Sequence, residues 1–211
     1  MISSKKRAAP LKPRQRAPEP NKRAPAPSKC AKLEPASRPV NSHEFPYLAG
    51  YPEPLLEQVR PLVQSGELAA RLARRYPTAS LITSDSLLRD YVLELKNRYL
   101  KRSSPLSKIC FDDKISSLHG ALGIHKFISR AQGTRTKAKN ELRIASLMKG
   151  LPDELVRMVV VHELAHLKEK EHNKAFYQLC CHMEPHYHQF ELDLRLYLTA
   201  QEAAASAAGP R

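Results

Sequence analysis

The stretch Val159-Val160-Val161-His162-Glu163-Leu164-Ala165-His166-Leu167 constrains this chain more than any other. At 3.6 residues per turn, histidines four apart sit about 40° apart on one helix face, so both imidazoles reach a single metal ion. The apolar residues around them are those of a helix buried along its other faces. Imidazoles and a carboxylate are costly to bury there without a partner. The spacing is the HExxH pattern of zinc hydrolases, in which the glutamate, here Glu163, acts as general base on a metal-held water. The alternative is a buried helix that carries two hydrogen-bonded core histidines and no metal.

A catalytic zinc takes three protein ligands and keeps one position for water. His172 follows His166 by six residues. In an unbroken helix that offset rotates it by roughly 240°, to the wrong face. The helix is therefore expected to end within residues 168–171, so that the chain turns back and brings His172 to the metal. Asn173 then caps a further helix from Lys174 to about Met183. Metzincins share the histidine spacing but have glycine where this chain has Glu169, a departure that argues against that class. Glu184 is the reserve third ligand, as in sites built from two histidines and one glutamate.

Residues Arg157 to Lys168, running into His172-Asn173-Lys174-Ala175-Phe176-Tyr177, resemble the YgjP-like metallopeptidase domain family. The likeness extends from about Tyr47 to Thr199. It takes in Leu48-Ala49-Gly50-Tyr51-Pro52, Ser129-Arg130-Ala131-Gln132-Gly133 and His182-Met183-Glu184-Pro185. The resemblance implies a minimal zincin-type fold, zinc ligands His162, His166 and His172, and Glu163 as catalytic base. One zinc ion per chain is the expected cofactor. Many members carry a Trp-Gly-Ser-Cys element before the active helix. This chain has no tryptophan and reads Ala131-Gln132-Gly133-Thr134 there, so its substrate preference is free to differ.

Composition divides the chain in two. Residues 1–46 hold nine of the 17 prolines and almost no large apolar residue. They carry eleven Lys/Arg against three Glu, a net +8 of the chain's +14. Such a segment buries too little apolar surface to offset its ordering entropy and reads as a disordered tail. Residues 47–205 are long enough to bury a core and form the expected hydrolase domain. There is no apolar run of 18 residues, and no apolar stretch behind Lys5-Lys6-Arg7, so neither a membrane span nor a secretory signal is expected. The cysteines, Cys30, Cys110, Cys180 and Cys181, make no disulfide framework, which fits a cytoplasmic setting.

The domain reads as α+β, helices plus a small hairpin packed on the HExxH helix. Helices are expected from Pro54 to about Gln64, from Glu67 to Tyr76, and from a cap at Ser84 or Asp85 through Tyr99. A short helix is expected from Ile115 to Leu122. Strands Ile124–Ala131 and Glu141–Met148 are expected to flank a polar turn over Gly133–Asn140. Phe190–Leu198 fits either period and is assigned to helix because helix formers follow it.

Catalysis at such a site needs a donor for the oxygen charge that develops in the transition state. His182 is the first candidate, since it lies on the helix that leads away from His172. His186, His188, Tyr187 and Arg130 are the others. Peptide hydrolysis is the default for the motif, with strand Glu141–Met148 available to pair with an extended peptide. The alternative is a nucleoside-triphosphate (UTP-type) pyrophosphatase, an assignment that relatives in the resembled family carry. Lys126, Arg130, Arg135, Lys137, Lys139, Arg143 and Lys149 against Glu141 alone would suit a phosphoanhydride, or form a solvated basic face. A third reading is a non-catalytic protein that associates with nucleic acid through its basic tail. Apart from Phe45 at its very end, that tail lacks aromatics for stacking, so its binding would be non-specific and salt-sensitive.

Overall fold

Proline and glycine cut the first helices to length. The computed structural model describes residues 44–115, 123–132 and 135–208, with backbone only for 123–132 and 135–139. A 3₁₀ turn, Pro46–Leu48, leads into α1, Glu53–Gln64, which carries Pro54 in its first turn, where a missing N–H is harmless. Gly66 adopts φ 73°, the left-handed region that favours glycine, and turns the chain into α2, Glu67–Arg75. Ser84 caps α3, Asp85–Tyr99, its Oγ accepting the Leu87 N–H at 3.3 Å. These three helices lie within a residue or two of the expected positions.

The sheet differs from expectation. Strand β1, Leu106–Asp112, escaped the sequence reading because Ile109, Cys110 and Phe111 are buried in succession, which breaks the period of two. Strands β2, Gly123–Gln132, and β3, Arg135–Ala145, form a longer hairpin than expected, paired from Gly123↔Ile144 to Gln132↔Arg135. Residues 135–140, expected in a turn, are therefore strand. At the other end β3 stops at Ala145, and Ser146–Met148 is a 3₁₀ turn that drives Met148 fully into the core. The expected helix Ile115–Leu122 lies, beyond Ile115, outside the described residues.

Strand order is β1-β3-β2, with β1 parallel and β2 antiparallel to β3. Over residues 140–144 both edges of β3 are thus paired within the protein. The expected pairing of a substrate peptide with this strand is overturned, because strand addition needs a free edge. Leu142 and Ile144 on β3 are fully buried in the core, as is Ala145 at its end.

Helix α4, Asp153–Ala165, follows Pro152 with Asp153 and Glu154 in its first turn, where carboxylates complement the helix dipole. Leu155, Val156, Val160, Val161 and Leu164 are fully buried in one core with the sheet and the other helices. The helix ends at His166, earlier than the expected 168–171. The Lys168 and Glu169 N–H groups both bond to the Ala165 carbonyl, at 2.9 and 3.0 Å, and close the last turn. Helix α5, Lys174–Met183, starts where expected, the Asn173 Oδ1 accepting the Phe176 N–H at 2.9 Å. Helix α6, Tyr187–Ala207, begins three residues before Phe190 and buries Tyr187, Leu194 and Leu198 at helical spacing. The fold is α+β, a minimal zincin-like domain of helices and a small sheet built around the HExxH helix. Among the described residues, no helix is long and apolar enough to cross a membrane.

Candidate metal centre

Burial of Val160, Val161, Leu164 and Ala165 fixes the rotation of α4 and leaves His162 and His166 side by side, ring centroids 5.1 Å apart. The early end of the helix lets the following loop bring His172 back. Its Nε2 stands 3.1 Å from Nε2 of His162. One ligand atom from each of the three histidines falls within 4.8 Å of the other two. Phe176, fully buried in the first turn of α5, packs against all three rings at 4.9, 4.7 and 4.7 Å.

The outer ring nitrogens are also held. His166 Nδ1 lies 3.1 Å from the Glu169 carbonyl, which can only accept, so the proton sits on Nδ1 and Nε2 keeps its lone pair. His162 Nδ1 lies 2.7 Å from the hydroxyl of the fully buried Tyr187. With its Nδ1 proton donated to Tyr187, His162 likewise turns a bare Nε2 towards His172. Burial, then the neighbouring charges of His166, His172 and Arg195, push His162 down to about 3. Burial also lowers His166. Both rings are therefore neutral at physiological pH, the form that binds a metal.

Tyr187 is pushed far up, by burial first and then by Glu191, so its hydroxyl keeps its proton. It also bonds to Cys180, whose thiol burial raises well above the usual range and leaves unreactive. Glu163 is buried beside His162, only 4% exposed, and its charge reaches Tyr187 and Cys180.

This donor set fits a divalent first-row metal ion. Nitrogens on a tetrahedral zinc, at Zn–N of 2.0–2.1 Å, stand about 3.4 Å apart, close to the separation across His162 and His172. A partner behind each α4 imidazole is the usual second layer of such a site.

The other expected residues are placed as follows. Glu184, the reserve ligand, bonds Arg157 Nε at 2.5 Å and the His186 N–H at 3.1 Å, while Arg157 Nη2 reaches the Met183 carbonyl at 2.8 Å. It ties α4 to the turn between α5 and α6. Burial is the largest single influence and would lower Arg157, but its interactions with Glu184 and Tyr91 together outweigh it and keep the guanidinium charged. His182 is exposed, its ring edge-on to Tyr99 at 5.8 Å, and is not brought to the histidine cluster. His186 packs against Phe190, and His188 against Tyr177 and Tyr187. Arg130 lies on β2, where only the backbone is described.

Among the candidate donors whose side chains are described, Tyr187 alone touches a triad imidazole, from behind the ring. Sequence reasoning missed Phe176 altogether. Its signal was there: three residues past the Asn173 cap, it shares the first turn of α5 with the end of the His172 loop.

Comparison with known proteins agrees with this geometry. A family model described as YgjP-like, metallopeptidase domain, matches residues 126–197. The UTP pyrophosphatase of Escherichia coli (strain K12) is 54% identical over 153 residues, covering 72% of this chain and 92% of that protein. No solved structure matches the chain. The segment matched by the family model holds the three histidines, Glu163, Phe176 and Tyr187, and with 54% identity over almost a whole relative the chain belongs to the YgjP-like metallopeptidase domain family.

Proposed function

We propose that this metal-dependent hydrolase uses zinc to cleave a nucleoside triphosphate, with UTP the first candidate, releasing pyrophosphate. The observation that carries the reading is the 54% identity over 153 residues to a UTP pyrophosphatase, beside a family match, over residues 126–197, that holds the whole histidine site. The central position of β3 adds to it by removing the strand expected to hold a peptide.

In this reading His162, His166 and His172 hold the metal. A bound zinc ion supplies Lewis acidity for the attacking water and for the phosphoryl oxygen. Glu163 takes the proton from the water as its oxygen joins the α-phosphorus, and the α–β bridging oxygen departs with pyrophosphate. Tyr187 and the Glu169 carbonyl hold the His162 and His166 rings, so little reorganisation is needed as charge develops. Phe176 closes the site from below and keeps water from the inner face of the imidazoles.

The catalytic domain is residues 47–205, with the basic tail 1–46 outside it. The second reading, peptide hydrolysis, draws on the family's metallopeptidase description and on β2, an edge strand packed beside α4. Purified protein offered nucleoside triphosphates and casein, with and without chelator, separates the two. Chelator-sensitive pyrophosphate release from UTP, with casein intact, is expected. Casein cleavage with all nucleotides untouched would overturn the nucleotide reading. Nucleic-acid association through the tail falls on residues 1–43, outside the described residues. Deleting residues 1–45 should weaken binding to DNA at low salt and flatten its salt dependence; unchanged binding would refute it.

A further inference from the structure

Beside the histidine cluster lies a group of side chains that the metal chemistry does not use. Tyr177, half-buried, follows Phe176 directly, and its ring centroid is 6.4 Å from that of His172. Tyr51, also half-buried, comes from the turn before α1 and carries the Arg195 guanidinium over its ring at 5.8 Å. Arg195 is fixed by Glu191 at 3.2 Å and by the Tyr47 carbonyl at 3.2 Å. Three separate segments, the turn before α1, α5 and α6, thus converge at one edge of the metal centre. Glu191 and Arg195 act electrostatically on both tyrosines, and Tyr177 acts on Tyr51. Arg195 reaches His162 as well.

The state of these groups is that of a ligand wall. Neither the Tyr51 nor the Tyr177 hydroxyl has a hydrogen-bond partner among the described residues. Two half-buried aromatic rings, Tyr51 beneath Arg195 and Tyr177 beside His188, backed by a carboxylate–guanidinium pair, suit a flat heterocycle with hydrogen-bonding edges. The distance suits it too, since one ring beyond the histidines is one ribose beyond the phosphates.

We infer that Tyr177 and Tyr51 form the nucleoside-binding wall of this site. The base stacks on Tyr177, and Tyr51 with the Glu191–Arg195 pair addresses the base edge. The triphosphate then extends past His172 to the histidine triad. This assignment rests on the nucleotide reading above and adds where the nucleoside sits.

The test is calorimetric titration of UMP, and separately of inorganic pyrophosphate, into the zinc-loaded protein and its variants, alongside UTP turnover. Loss of base–aromatic stacking in Tyr177→Ala should weaken UMP binding roughly tenfold or more, with pyrophosphate affinity and zinc content held. Tyr177→Phe keeps the ring and should recover most of the UMP affinity. Tyr51→Ala should weaken UMP as well. In turnover, Tyr177→Ala should raise KM for UTP far more than it lowers kcat. Equal UMP affinity in wild type, Tyr177→Ala and Tyr51→Ala would overturn the wall while UTP turnover left the nucleotide reading standing. Equal weakening of UMP and pyrophosphate would also overturn it, since Tyr177 would then act through His172. If UMP binding depends on Tyr177 but no nucleotide is cleaved, the wall stands and the hydrolytic reading fails.

Discussion

The Tyr187 hydroxyl lies 2.7 Å from Nδ1 of His162, so the first residue of α6 fixes the first histidine of α4. A buried, protonated phenol orients that imidazole without placing a second negative charge behind the metal centre. Arg157 and Glu184, bonded at 2.5 Å, brace the same helix from the other side of the turn that leads into α6. The site is therefore held by contacts from outside the HExxH motif.

Tyr187→Phe removes only the hydroxyl. The ring still fills its fully buried place, so the fold should persist while metal affinity falls about 10- to 100-fold. Competition against a chelator of known strength checks this. Wild-type affinity in the variant would show that Tyr187 merely packs.

His172→Ala takes away the ligand supplied by the loop. His162 and His166 alone leave half of a tetrahedral coordination sphere to water, so zinc should be lost on dialysis that wild type survives. Elemental analysis gives the answer. Full occupancy in the variant would hand the third position to another group.

How much of this was legible in the sequence depends on how local each signal was. The cap at Asn173, the helix over Lys174–Met183 and the histidine spacing are written within a few neighbouring residues and were read in place, while the cap of α3, left between Ser84 and Asp85, is Ser84. The helix end was placed too late because its closure depends on the Ala165 carbonyl taking two N–H groups, which no residue type announces. Strand β1 was missed because three successive residues are buried. The central position of β3 is set by its parallel pairing with β1, a contact across more than thirty residues of sequence. Residue type alone made Tyr187 a candidate donor, and only tertiary packing puts it behind His162.

The metal-free protein should lose stability as pH falls. His162 is held near 3 in the fold against about 6.5 when unfolded, so below about 6.5 the unfolded chain binds a proton that the native state refuses. His166, also lowered by burial, adds in the same direction. The stabilisation is whole above that value and drains away as pH drops towards 3. Melting temperatures of the metal-free protein at pH 7.5 and 5 should therefore differ, the acid sample melting lower. His162→Phe should flatten the dependence. A melting temperature independent of pH across that window would contradict the burial of a neutral His162.

The most direct measurement is UTP turnover by zinc-loaded Glu163→Gln. The substitution keeps size and hydrogen-bonding capacity, leaves His162, His166 and His172 in place and removes only the carboxylate that accepts the proton. Zinc content should match wild type, and kcat should fall by roughly 10²–10⁴-fold, the usual loss on removing a general base. Near wild-type turnover by the fully loaded variant would contradict the account, leaving the metal a structural role and placing the chemistry elsewhere.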